Sequence, residues 1–368
     1  MGRRPPFFLR SRSPLRWLFA LPFAAGCAGV VALVVAYHWP PVEAAACFFA
    51  ACPVFVCFGA TLPLVLAGFW GLKLRWFLFG CVLWASGFAA TDDVAQWLSL
   101  FPGRAREAFE SLHGAFLHGA NHAPPGQEGM YVPLRVVTWN LASRPRLVAN
   151  ALRELADLEP DLVFLQEVNA EVLPGAMRRS DWFASYHLSA RYGRALVSRF
   201  PITPLPGSPL PPTRGDLSRI EVAPGFRISC MNVHLARRVL VPRLIRSWSP
   251  GGFEDAIEQT KQGLDELRDT LQRHSAHEAL LLAGDFNLPP HYPDLRAATR
   301  GMIDTFASSG FGWGKTVPAW MPVFRTDMIF VPPDAVVHYA GTVSTKLSDH
   351  CMAIAEVSLL ASRSPESK

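Results

Sequence analysis

The chain has 368 residues, a formal net charge of +5 and a mean hydropathy of +0.18, with 50% hydrophobic and only 18% charged residues. So apolar a composition is unusual for a soluble globular protein. The modest charge, part of it in the N-terminal segment, is no argument for nucleic-acid binding. The seven cysteines show no clustered spacing and no paired-histidine motif accompanies them, which weighs against a zinc centre.

The apolar excess lies between Trp17 and Ala90, where charge is nearly absent. Three stretches stand out: Trp17 to Tyr37, Val42 to Trp70 and Leu74 to Ala90. The first two reach the roughly 20 residues that cross a bilayer. The third does so if Val94 and Trp97 extend it, and Pro53 and Pro63 would kink the second or make it re-entrant. The expectation is an all-α transmembrane region of three spans, and hence a multi-pass protein of the cell membrane. Arg3, Arg4, Arg10, Arg12 and Arg16 precede the first span, and Lys73 and Arg75 separate the second from the third. The positive-inside rule then puts the N-terminus in the cytoplasm and everything after the third span outside. A miscount of one span would reverse that orientation. Ala24-Ala25-Gly26-Cys27 looks like a lipoprotein cleavage box, but the apolar run continues to Tyr37, which favours an uncleaved helix.

Phe109, Leu112 and Phe116 have helical spacing, which suits a stalk or a helix lying on a bilayer surface. The Pro- and Gly-rich run from Asn121 to Gly129 reads as a linker. The expected layout is a membrane region at 1–93, a stalk and linker at 94–130, a catalytic domain at 131–362 and a polar tail at 363–368. Within the third part, Val148, Ala151, Leu152 and Leu155 mark one amphipathic helix, and Ile257, Leu264, Leu267 and Leu271 a second. Helices alternating with apolar strands give an α/β class.

The strands carry the chemistry. Runs beginning at Arg135, Leu162 and Phe226 end in Asn140, Glu167 and His234, and Leu281-Leu282-Ala283-Gly284 releases Asp285 and Asn287. Two later strands have polar residues at their start: Asp327 before Met328, and Asp349-His350 before Cys351. If the first group runs opposite to the second, all these side chains meet at one rim. Positions i and i+2 of a strand share a face, so Asp285 and Asn287 would address one ligand if the extended geometry persists. Oxygen donors from Glu167, Asp349 and Asn140 are hard ligands, suited to Mg²⁺ or Mn²⁺. His234 and His350 can move protons near neutral pH. Metal with acid–base histidine reads as phosphate-ester hydrolysis.

Trp139-Asn140, Gln166-Glu167-Val168, Asn232-Val233-His234-Leu235, Gly284-Asp285-Phe286-Asn287, Arg325-Thr326-Asp327 and Ser348-Asp349-His350, in that order, resemble the endonuclease/exonuclease/phosphatase superfamily. Gly193 to Ile202 is similar to a hairpin of that family. The resemblance covers roughly 131 to 360 and implies a four-layer αββα sandwich. It also implies that Asn140, Glu167 and Asp349 surround a divalent metal and that His350, polarised by Asp327, is the acid–base histidine. Asp285 and Asn287 would orient the nucleophilic water and the phosphate, and His234 would hydrogen-bond the phosphate. Two positions depart from the pattern. Cys351-Met352 follow His350 where many relatives place a proline, and Asn169 stands where DNase-like members carry arginine, which weakens a DNA-backbone contact.

The resemblance extends to a membrane-anchored bacterial branch with this layout. On that basis the first expectation is a membrane-anchored phosphohydrolase acting outside the cytoplasm on a lipid-linked or head-group phosphate, with the bilayer as its partner. The second is an exported nuclease acting on DNA or RNA. The segment from Arg237 to Trp248, with four arginines among aliphatics, suits either an anionic lipid surface or a plain exposed loop. A receptor built on a degenerate hydrolase is disfavoured by six intact motifs.

Overall fold

A computed structural model describes residues 17–38, 54–89, 131–205, 215–223, 225–235, 250–274 and 279–360. The chain divides into two compact units, Met1–Val94 and Ala95–Lys368. The stalk, the linker, the Arg237–Trp248 segment and the polar tail lie outside the described residues.

The first unit contains α1 (Trp17–His38), α2 (Val54–Leu66), the single turn α3 (Gly68–Gly71) and α4 (Leu74–Ala89). Val30 and Phe58 form its centre, with Val34, Trp84 and Phe88 packed around them. Helices approach closely where side chains are absent: a Cβ on Gly26 would come within 2.9 Å of Leu64. The outward positions are apolar as well, with Leu18, Phe69, Trp70, Leu74, Trp76 and Val82 all at least half exposed. Among the described residues only α1, over Leu18–Ala36, is long and apolar enough to cross a membrane. With 13 and 16 residues, α2 and α4 fall short, because an α-helix rises 1.5 Å per residue against a hydrocarbon core of about 30 Å. The expected three-span, multi-pass arrangement is therefore corrected to at most one candidate span. The cytoplasmic N-terminus and extracytoplasmic catalytic domain, which rested on that count, fall with it. Apolar composition alone does not set the length of a helix. The second stretch ends as helix at Leu66 and turns at Ala67, which divides the run.

The second unit is a mixed α/β sandwich. Its strands are β1 (Tyr131–Asn140), β2 (Leu162–Gln166), β3 (His187–Arg191), β4 (Arg194–Ser198), β5 (Ile202–Pro204), β6 (Gly215–Ala223), β7 (Phe226–His234), β8 (Leu280–Asp285), β9 (Ile303–Asp304), β10 (Asp327–Val331), β11 (Val336–Val343) and β12 (Met352–Leu360). One sheet has the order β11-β12-β1-β2-β4-β3 and the other β5-β6-β7-β8-β10-β9. Leu134, Val136 and Phe164 of the first sheet pack against Ile228, Cys230, Leu281 and Ala283 of the second. On the other face of the first sheet, Val137, Trp139, Val163 and Leu165 pack with α5 (Val148–Ala156) and α6 (Leu173–Met177). The four apolar positions that predicted α5 are all buried in it. In the second sheet, Met231 and Leu282 alternate with Cys230 and Leu281 and are buried too. The long helix α7 (Pro250–His274) buries Leu264, Leu267 and Leu271 and contacts α8 (Pro293–Ala298).

Gly193 lies in the turn of the β3–β4 hairpin, but the segment from Gly193 to Ile202 does not pair with itself. β4 pairs with β2 and β3 in the first sheet, whereas β5 pairs with β6 in the second. Arg199-Phe200-Pro201 thus carries the chain from one sheet to the other. Cys230 and Cys351 are both buried and free, and burial pushes each thiol pKa up.

Candidate active site

The strand directions collect the polar residues at one rim. β1 runs parallel to β2, and β7 runs parallel to β8. β12 is antiparallel to β1 and β10 to β8, with Asp327 directly opposite Asp285. Residues ending β1, β2, β7 and β8 therefore lie beside residues starting β10 and β12.

At the centre, the Asn140 side-chain NH2 donates to Asp285 Oδ2 at 3.0 Å and to Glu167 Oε1 at 3.2 Å. Asn140 Oδ1 accepts from the backbone of Ala142 at 2.9 Å. One amide thus ties together carboxylates from the two sheets. Ser143 Oγ donates to Glu167 Oε2 at 3.2 Å. Glu167 has φ near +50°, an uncommon conformation for a glutamate and one that recurs at functional sites. His234 Nε2 lies 3.8 Å from Glu167 and 3.9 Å from Asp285.

Gly284 is required where it stands. Its φ is +151°, and a Cβ there would lie 1.9 Å from the carbonyl oxygen of Val233 on the neighbouring strand. Extended geometry ends at Asp285, so the same-face argument for Asp285 and Asn287 does not hold. Asn287 has φ near +52°, and its backbone N–H donates to Asp285 Oδ1 at 2.9 Å. Its side-chain NH2 donates to the Leu235 carbonyl at 2.9 Å. The two residues are neighbours through a tight turn that the Asp285 carboxylate closes.

His350 Nδ1 donates to Asp327 Oδ2 at 2.9 Å, and its Nε2 lies 3.8 Å from Asp285 Oδ2. Both partners are buried. Burial disfavours the imidazolium, but the carboxylates of Asp327 and Asp285 outweigh it and raise the His350 pKa to about 10. Burial also raises the Asp327 pKa, with His350 opposing and Asp285 reinforcing. Backbone contacts hold the histidine: Trp139 Nε1 donates to its carbonyl, and its N–H donates to Ser348 Oγ. Ser348 Oγ in turn donates to the Asn140 carbonyl at 2.6 Å.

One cluster on the rim has the donors for a divalent cation, and a neighbouring carboxylate adjoins it. Asp285, Asp327 and His350 offer donor atoms within 4.8 Å of one another and form a candidate metal centre. Beside them, Asp349 Oδ1 is buried without a hydrogen-bond partner among the described residues. Asp327 Oδ1 is in the same state, and such an oxygen costs free energy unless a cation or a hydrogen-bond donor such as water meets it. Every residue expected at the site belongs to this rim or directly adjoins it. Ser143 and Thr316, whose Oγ1 accepts from the N–H groups of Thr326 and Asp327, are supporting residues that no motif announced, and Ser348 stood in a motif without an assigned role.

The profile of the Endonuclease/Exonuclease/phosphatase family matches residues 137–350. Solved structures with a similar fold include a humanized D. rerio TDP2, at 16% identity and a TM-score of 0.47, covering 61% of this chain and 98% of that one. An endonuclease/exonuclease/phosphatase from Bacteroides vulgatus gives the same four values. The Bacteroides thetaiotaomicron mannosyl-6-phosphatase Bt3783 is 13% identical, with a TM-score of 0.47 and coverage of 61% and 99%. At such identities and scores these likenesses bear on neither substrate nor mechanism. No curated protein sequence matches the chain. The family profile spans more than half of the 368 residues and takes in every rim residue described above, and the chain belongs to the endonuclease/exonuclease/phosphatase family.

Proposed function

We propose that the sandwich is a divalent-metal-dependent hydrolase of phosphate esters, with a nucleic-acid phosphodiester as the first substrate class to test. One observation carries the reaction: Asn140 joins Glu167 to Asp285 while Asp285 faces both His234 and the His350–Asp327 pair.

In this reading Glu167, Asn140 and Asp349 hold Mg²⁺ or Mn²⁺. Hard cations take oxygen donors, and the orphaned Asp349 oxygen supports a cation on that side. In the competing set of Asp285, Asp327 and His350 the imidazole is committed to a 2.9 Å hydrogen bond with Asp327 Oδ2, while Asp327 Oδ1 is, like Asp349 Oδ1, buried without a partner among the described residues. That set suits proton transfer better. The metal, when bound, would polarise a phosphoryl oxygen and offset its developing charge. Asp285, fixed by Asn140 and by the Asn287 N–H, accepts the proton of the attacking water. Protonated His350, oriented by Asp327, supplies the proton on Nε2 to the leaving-group oxygen. His234 hydrogen-bonds the phosphate.

The substrate choice follows from what supports each candidate. The exported lipid phosphate leaned on three spans and an orientation that no longer stand. In support of nucleic acid, Trp320 is 79% exposed on a turn whose Ala319 N–H donates to the Asp349 carbonyl at 2.7 Å. A bare indole beside a phosphoesterase site offers a base a stacking surface. Asn169 Oδ1 accepts from the Glu171 and Val172 N–H groups in the turn before α6. A lipid-linked phosphate is the second reading, favoured by the exposed apolar side chains of the helical unit. A Mg²⁺-dependent panel of plasmid DNA, single-stranded DNA, RNA, sphingomyelin and a polyprenyl pyrophosphate decides between them. Turnover of the lipids alone would overturn the nucleic-acid choice, and turnover of none would overturn the reaction class.

A further inference from the structure

Between its two sheets the sandwich packs a largely apolar cluster, and just beneath the site lies a polar rung, in which Gln166 Nε2 also donates to Thr138 Oγ1 at 3.1 Å. In the first sheet Gln166 of β2 and Arg194 of β4 are cross-strand partners. In the second, Asn232 of β7 and Asp216 of β6 are cross-strand partners. The rung closes across the interior: Gln166 Nε2 donates to Asn232 Oδ1 at 2.8 Å, and Arg194 Nε donates to Asp216 Oδ2 at 3.2 Å. Asn232 also reaches back, its NH2 donating to the carbonyls of Leu165 and Ala195, both at 3.0 Å. Gln166, Arg194 and Asn232 are each no more than 2% exposed.

Stability does not explain this rung. Buried polar and ionic groups of this kind are often replaced by apolar side chains without loss. Apolar faces are held by a non-directional force and do not set a lateral position to fractions of an ångström. Directional hydrogen bonds do. The position they set matters here, because Gln166 immediately precedes Glu167 and Asn232 lies two residues before His234. The 3.8 Å approach of His234 to Glu167, and the Asn140 bridge from Glu167 to Asp285, both span the gap between the sheets.

We propose that Gln166, Arg194, Asp216 and Asn232 form a positioning clamp, with Asn232 as its principal positioning residue. The clamp sets the spacing of Glu167 against His234 and Asp285, and thereby the affinity of the site for its cation. The inference rests on the metal-dependent reading above. Partners that orient a metal site typically contribute about 10- to 100-fold in metal affinity.

The test is calorimetric titration of Mn²⁺ into the metal-stripped full-length protein, with melting temperature measured in parallel. Asn232→Leu and Asn232→Asp are compared with wild type; the second keeps the side-chain volume but replaces the amide donor. Arg135→Met serves as control. It breaks a buried network in the same sheet, where Arg135 donates to Glu356 and to the Leu158 carbonyl, away from the rim. The clamp predicts Mn²⁺ binding weakened by about tenfold or more in either folded Asn232 variant, and a lower melting temperature but unchanged affinity in Arg135→Met. Unchanged affinity in the Asn232 variants overturns the proposal, as does an equal weakening in Arg135→Met. Failure of both Asn232 variants to fold would make the residue structural and overturn it too. Absence of Mn²⁺ binding to wild type would instead overturn the metal-dependent reading itself.

Discussion

The two units of this protein are organised in opposite senses. The helical unit has apolar side chains on both its inside and its outside, and Thr61 is the one buried polar side chain among its described residues. The sandwich hides polar and charged groups: Arg135, Asn140, Gln166, Arg194, Asp285, Asp327 and His350 are all at most 5% exposed. Exposed apolar surface persists at no cost in pairing, whereas a buried charge must find a partner. In the sandwich, pairing therefore traces function. Where the pairs are fully satisfied, as in Arg135 with Glu356, they support the fold. Where an oxygen is left over, as at Asp327 and Asp349, the proposed reading supplies a cation.

The sharpest way to break this contrast is to remove what the leftover oxygens await. Metal stripping with a chelator should abolish phosphoester hydrolysis, and Mg²⁺ or Mn²⁺ should restore it. Hydrolysis that survives exhaustive chelation would mean that the rim works by its side chains alone.

Next in size is the buried pair. Loss of a positioned proton-transfer group costs about 10² to 10⁴ in rate, so His350→Ala should lose that much. Asp327→Asn should fall in the same direction, and the double variant little further. Multiplicative losses in single-turnover assays would show that the two do not act together.

Gly284 probes the scaffold rather than the chemistry. The Cβ of Gly284→Ala would press on the Val233 carbonyl, and the strain should lower unfolding free energy by about 3 kcal/mol. Denaturant melts would settle this, and an alanine accepted without loss would mean that β7 and β8 can separate there.

A smaller effect is expected with pH. The His350 pKa is raised from 6.5 to about 10 in the folded protein. Its contribution is fully present below the unfolded value and lost as pH rises through the folded one. The melting temperature of chelator-treated wild type should therefore drop between about pH 6.5 and 10, more steeply than that of His350→Gln. Parallel curves would remove the pair from the stability account. The smallest effect belongs to the other unit. Trp70→Ser, at a position 71% exposed, should leave turnover of a soluble substrate unchanged.

Much of the rim was legible because it is written in strand ends. Asn140, Glu167, His234, Asp285, Asp327 and His350 each stand where an apolar run stops or starts, and that signal survives without any structure. What escaped was geometry set through space. The turn at Asn287 needs a left-handed backbone that no periodicity announces. Ser143 and Thr316 are hydroxyls of a kind found everywhere, so nothing in their spacing marks them, and the motif that holds Ser348 did not show its bond to the Asn140 carbonyl. Gln166 and Asn232 stood inside recognisable motifs, but their pairing joins strands 66 residues apart. The helical unit misled for a different reason. Hydropathy reports what a segment is made of, whereas a bilayer span depends on how long one helix continues.

The central claim is that oxygen donors around Glu167 hold the cation while His350 and Asp327 handle the proton. Titrating Mn²⁺ calorimetrically into metal-stripped Glu167→Gln and His350→Ala tests it most directly. The account predicts that Glu167→Gln loses or strongly weakens the binding isotherm while His350→Ala retains it. The reverse result, binding kept without the Glu167 charge and lost without the imidazole, would move the metal into the cluster of Asp285, Asp327 and His350 and contradict the assignment.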